Sequence, residues 1–170
     1  MATLLRVLGG LLALLILAVG ALLVGARFAD GPVAIVAGGP FTSGERVTGA
    51  EPDWSFVRDI QEVEFQLLDP ARSRTTWILD HDGKAYIPSG YMTTWWGRIW
   101  KQWPLEAEKD GRMLLRIGDR IYERQLVRVK EGPMIAPLLA QLGSKYLSGG
   151  DVPLEAVTSG YLWIFELAPR

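Results

Sequence analysis

Hydrophobic and polar positions change rhythm several times along the chain. Residues 7–26 are apolar without interruption, and nothing in them supplies a wet face. As a helix, twenty such residues span about 30 Å, the thickness of a bilayer core. From Ile60 to Leu68 the pattern alternates: Val63, Phe65 and Leu67 point one way, Glu62, Glu64 and Gln66 the other. A period of two predicts a half-buried strand. Thr75 to Leu79 is β-branched and aromatic, which predicts a second strand. Asp82-Gly83 suits a type I′ turn, Lys84 to Ile87 returns, and Pro88, with no N–H to donate, is expected to end the ladder. Arg112 to Ile117 and Arg120 to Val129 predict a second hairpin about Gly118-Asp119. Between the hairpins, residues 91–104 read as an aromatic, basic loop, and 106–111 as a polar turn. Ile135, Leu138, Leu139, Leu142 and Tyr146 recur at helical spacing, so 134–147 is an amphipathic helix with Pro137 tolerated in its first turn. Tyr161 to Leu167 is a last strand.

About six strands, mostly joined by hairpins, and one or two short helices make the fold mainly β. Antiparallel hairpins hide their edges by closing, which predicts a small antiparallel β-barrel plus an N-terminal transmembrane helix. The chain divides into an anchor at 1–27, a linker leading into the domain at 28–58, and the barrel at 59–170. The linker is punctuated by Gly31-Pro32, Gly38-Gly39-Pro40 and Ser43-Gly44, with Val33 to Val36 extended. Near its end Asp53 is placed to cap a short helical turn.

Arg6 and the amino terminus flank one side of the apolar run, while Arg27 and Asp30 nearly cancel on the other. This bias favours a single-pass membrane protein with its C-terminal domain outside, which in a bacterium is the periplasm. The rival reading is a cleaved signal peptide, for which Val24-Gly25-Ala26 is an acceptable cleavage pattern. The run is longer than the roughly 7 to 15 residues of a signal core, which favours the anchor.

Composition narrows the chemistry. Beyond residue 30 there are 16 basic and 18 acidic side chains, so no basic face argues for nucleic acid. There is no cysteine, which excludes disulfides, thiolate chemistry and iron–sulfur clusters. The single histidine, His81, excludes a multi-histidine metal site. His81 sits beside a hairpin tip, and turn chemistry accounts for Asp80 and Asp82 around it. Glu62 and Glu64 share a wet strand face. Four of the seven tryptophans fall between Trp95 and Trp103. Packing, anchoring at the membrane surface and a ligand slot are three readings of that cluster.

The order of pieces resembles the split β-barrel superfamily of flavin-binding proteins, which includes pyridoxamine 5′-phosphate oxidase-like proteins and deazaflavin-dependent nitroreductases. Arg74-Thr75-Thr76-Trp77, running into Asp82-Gly83-Lys84-Ala85-Tyr86, is similar to that family's strand, turn and strand. Lys101-Gln102-Trp103-Pro104 leading to Asp110-Gly111-Arg112 resembles its lysine-bearing loop, and Ile117 to Tyr122 resembles its glycine hairpin. The likeness covers about residues 60–129. It implies that Arg74, Thr75, Thr76, Ser89 and Lys101 grip a flavin phosphate, with Trp103 and its neighbours beside the ring. The implied cofactor is FMN or a deazaflavin, and the implied assembly a homodimer. A longer tryptophan-rich insert precedes Lys101 here than in the family. Two functions follow. One is a membrane-anchored oxidoreductase acting on a lipophilic acceptor. The other is a cofactor-free binding or assembly module tethered to the membrane. No hydrolase or nucleotide-binding motif is present, and in a flavoprotein the cofactor, not a side-chain motif, carries the redox step.

Overall fold

A computed structural model describes residues 1–170, the Arg98 side chain excepted. The N-terminal helix α1 (Ala2–Ala26) is exposed along nearly its whole length, and it is long and apolar enough to cross a membrane. Eight strands follow: β1 (Glu45–Arg46), β2 (Glu62–Leu68), β3 (Ala71–Trp77), β4 (Leu79–His81), β5 (Lys84–Ser89), β6 (Arg112–Ile117), β7 (Arg120–Val129) and β8 (Trp163–Pro169). They are interleaved with helices α2 (Trp95–Trp100), α3 (Trp103–Lys109), α4 (Ile135–Tyr146) and α5 (Glu155–Thr158). A 3₁₀ turn, Trp54–Asp59, is capped by Asp53, which accepts from Ser55 N as its sequence position suggests.

The sheet is antiparallel in the order β3-β2-β6-β7-β8-β5-β4, with β1 added parallel to β7. Its two ends are successive pieces of one chain segment. β3 pairs with β2 along its length, the chain passes through Ile78, and β4 then pairs with β5. A single bent strand therefore changes partner at Ile78 and closes the sheet. Beyond the switch, β3 on one side and residues 87–89 of β5 on the other keep unpaired edges, which is the split. The expected mainly β split barrel is the fold observed, with eight strands rather than six. The extra ones are β1, a two-residue addition with no hydrophobic alternation to announce it, and β4, separated from β3 by the kink at Ile78.

Alternation puts Phe65, Leu67, Ala85, Ile87, Met113, Leu115, Phe165 and Leu167 inside the barrel, where they form the main core. Tyr86, Leu79 and Ile164 face outward and are covered by Leu138, Leu139 and Leu142 of α4, a second core. Asp82 and Gly83 both have positive φ, +47° and +72°, as the type I′ hairpin requires.

Local readings differ in four places. Pro88 lies within β5 instead of ending it, since β4 pairs only with residues 84–86 and no strand runs beside Pro88 on that edge. The aromatic loop is two helices: Thr94 caps α2 by accepting from Gly97 N at 3.1 Å, and Pro104 falls in the first turn of α3. The polar turn at 106–111 is mostly the rest of α3, whose Ala107 is buried against the barrel. Val33 to Val36 is a tight turn bridged onto itself, with Ala34 at φ +52°.

The linker from residue 27 to 47 wraps the barrel. Gly38 pairs with Ser73 on the open edge of β3, and Arg72 donates to the carbonyls of Gly38 (2.9 Å) and Ala37 (2.5 Å). Phe41 N then donates to Gln66 Oε1 at 2.6 Å, Phe41 stacks under the Arg116 guanidinium, and β1 pairs with the free end of β7. Edges that invite aggregation are thereby covered.

Candidate functional site

The residues nominated from sequence lie around the split. Side chains of paired strand residues share a face, so Arg74, opposite Phe65, and Thr76, opposite Val63, take the inward side of β3. Thr75, opposite Glu64, takes the other side and is exposed. The hydroxyls of Thr75 and Thr76 thus diverge. Arg74 donates to Glu106 Oε2 on α3 at 3.3 Å and to the carbonyl of Arg72 at 3.3 Å. Both members of that ion pair are largely withdrawn from water, and desolvation pulls the Arg74 pKa below its ordinary value, with Glu106 opposing.

Trp103 is buried inside the barrel, with its ring centroid 4.9 Å from Phe65 and 5.4 Å from Phe165. Arg74 and Trp103 therefore do come together, through α3. Ser89 is buried at the end of β5, and its hydroxyl faces Met92 Sδ at 3.5 Å. Lys101, between α2 and α3, is half-buried with its ammonium 5.5 Å from the Tyr91 ring centroid, and desolvation lowers its pKa. Ser89 and Lys101 thus sit against residues of the connection after β5, while Arg74 sits against α3.

A flavin phosphate needs converging donors of matched charge. Here the arginine offered is already paired with a carboxylate, the buried hydroxyl faces a thioether, and Arg72 is spent on linker carbonyls. A phosphate beside Arg74 meets the charge of Glu106. Trp103 fills core rather than walling a slot. These side chains, as arranged, do not fit a flavin phosphate. An open depression of about 690 Å³ lies elsewhere, between the end of α3 and β7, lined by Glu108, Asp110, Arg112, Arg128 and Lys130 among others. None of the six nominated residues lines it. No cluster of three or more potential metal ligands occurs among the described residues.

Two features lie outside the six nominated residues. One is the polar cluster at the strand switch. Ile78 N donates to Tyr146 Oη at 3.0 Å, and Ile78 O accepts from Lys145 Nζ at 2.9 Å. Asp80, buried, accepts from Arg58 at 2.7 Å and from Gln141 at 2.6 Å. The other is the outer face of α2. Its signal was present in sequence as two pairs four apart, Trp95 with Ile99 and Trp96 with Trp100, which fall on one side of a helix.

This architecture is a split β-barrel, preceded by one membrane-length helix. No family model and no curated protein matches the chain. Among solved structures it is similar to the conserved hypothetical protein Rv2991 from Mycobacterium tuberculosis, at 14% identity and a TM-score of 0.48, covering 73% of this chain and 86% of that one. It is also similar to a Listeria innocua protein named "Putative Pyridoxamine 5'-phosphate oxidase", at 15% identity and a TM-score of 0.42, covering 68% and 89%.

Proposed function

We propose that the protein is a membrane-anchored split barrel that serves as a binding or assembly module at the membrane surface, without a flavin. The observation that carries this reading is the Arg74–Glu106 pair, in which a carboxylate neutralises the arginine at the expected phosphate position. The anchor is α1, inserted with its N-terminus inside and the barrel outside, periplasmic in a bacterium. Lys101 favours a second reading, an FMN- or deazaflavin-dependent oxidoreductase acting on a lipophilic acceptor. It is a desolvated cation beside an aromatic ring, a surrounding that suits an anionic cofactor.

One preparation separates the two. Detergent-purified full-length protein is mixed with FMN or a deazaflavin and desalted, and its absorbance is read from about 300 to 600 nm, where flavins absorb. The module reading predicts a spectrum with protein absorbance only. A retained chromophore that disappears in Lys101→Ala overturns it in favour of the oxidoreductase. Intact mass of the carbonate-resistant membrane fraction checks the anchor: a species that retains residues 1–27 is expected, and a shortened soluble one points to a cleaved signal.

A further inference from the structure

The strongest unexplained feature is the outer face of α2. Trp95 is 76% exposed, Ile99 67%, Trp100 64% and Trp96 42%. Four large apolar side chains on six residues form a patch that a soluble domain does not leave in water. The body of the protein fixes which way they point. Gly97 lies so close to Tyr91 that a Cβ there would come within 2.0 Å of the Tyr91 carbonyl. That glycine lets the helix lie flat on the residue 91 turn, and Tyr91 is itself held by Tyr161 and Trp96. Trp95, Ile99 and Trp100 turn out, while Trp96 lies partly against Tyr91.

The membrane helix hands over to the barrel at the open edge of β3. Leaving α1, the carbonyls of Arg27 and Ala29 abut Gly39, and Gly38 pairs with Ser73 on the open edge of β3. One residue further along that strand, Arg74 holds α3, which follows α2 directly. Arg27 and Glu106 both lie near enough to Arg72 to act on its charge. The exit of α1 and the middle of α3 thus both lie against β3. Phe28, at the exit itself, is another exposed aromatic.

We propose that the barrel lies down on the bilayer that α1 enters, with Trp95, Trp96, Ile99 and Trp100 seated in the lipid interface. This inference rests on the anchored reading and adds to it an orientation and a contact surface. Tryptophan settles at headgroup depth, where its ring is in hydrocarbon and its N–H is wet. A tether packed directly on the barrel keeps the bilayer within reach.

The chain has no cysteine, so Ile99→Cys creates a unique labelling site, and Lys84→Cys a control at the exposed start of β5, the end of that strand away from α2. Each full-length variant is reconstituted in phosphatidylcholine vesicles and spin-labelled. The label at 99 is expected to be relaxed by oxygen and shielded from a water-soluble nickel chelate, and the label at 84 to show the reverse. Equal access of the chelate to both sites overturns the proposal. So does a label at 99 that is broadened by a second label and shielded from both reagents, which marks a second copy instead of lipid. Should the variants misfold, the unmodified chain gives an independent readout. All seven tryptophans lie outside α1, so quenching of their emission by brominated lipid is expected, and its absence overturns the proposal. A membrane-bound chain of full mass with water-exposed labels defeats the docking and leaves the anchor standing. A retained flavin defeats the module reading and leaves the docking standing.

Discussion

Ile78 is where one residue decides the topology. As the strand changes partner, its backbone N–H and C=O have no sheet neighbour, yet the residue is fully buried. An unpaired buried amide costs about 1–3 kcal/mol, so something must replace the ladder. Tyr146 accepts from Ile78 N, and its own proton goes to Ile78 O at 2.8 Å or Gln61 O at 2.7 Å. Its ring stacks on Trp77 at 4.5 Å. Tyr146→Phe keeps the stacking and removes only the hydroxyl. It is expected to destabilise the fold by about 1–3 kcal/mol, a fall in melting temperature of several degrees by calorimetry. An unchanged melting curve would show that the switch does not depend on this bond. Residue-level features of this kind divide by range. Asp82-Gly83 and the Asp53 cap were legible because turn chemistry is local. Tyr146 was read as one more apolar position of a helix, because its partner is 68 residues away.

At the scale of elements, strands were read well and the segment between the hairpins poorly. Period-two alternation announces β2, and the amphipathic repeat announces α4, because each spans two or more turns of its own rhythm. α2 and α3 are six and seven residues long and are interrupted at Lys101 and Gln102, so neither completes a readable repeat. The linker likewise shows only turn residues, although its wrapping is held by definite bonds. Asp30 accepts from Ser43 Oγ and from Thr42 N (2.7 Å), and pairs with Arg116 at 3.0 Å. The Ser43 hydroxyl first, then the Thr42 amide and Arg116, hold its carboxyl well below the usual carboxylate range. A carboxyl depressed in the folded state stabilises above its unfolded pKa and loses that contribution as pH falls toward the folded value. The wrap is therefore firm at neutral pH and loosens in acid, beginning below about pH 4. Limited proteolysis of the linker is expected to accelerate as pH drops through that range. Asp30→Asn is expected to cleave faster at neutral pH and to lack most of the pH dependence. Equal dependence in both proteins would assign the effect to another group.

For the whole molecule, the question is what the barrel encloses. Its interior is occupied by side chains from β2, β5, β6, β7 and β8, and α3 inserts Trp103 among them. Helix α4 and the linker cover the outside on different faces, so the closed sheet has a packed interior and a dressed exterior. The resemblance read from sequence put Trp103 beside a flavin ring, and the geometry makes it a core residue between Phe65 and Phe165. These two roles predict different outcomes for one substitution. A ring that walls a solvent-open slot costs little stability when removed, because water or ligand replaces it. A ring that fills a core leaves a cavity, and Trp103→Ala is then expected to cost about 3–5 kcal/mol. That is a large share of the roughly 5–15 kcal/mol that stabilises a domain. Chemical denaturation of the full-length protein in detergent should accordingly show a much lower midpoint at unchanged slope. The exposed Trp95→Ala or Trp100→Ala should leave the midpoint where it is. A Trp103→Ala protein as stable as the parent would reopen the interior of the barrel as a ligand site and weaken the case for a cofactor-free module.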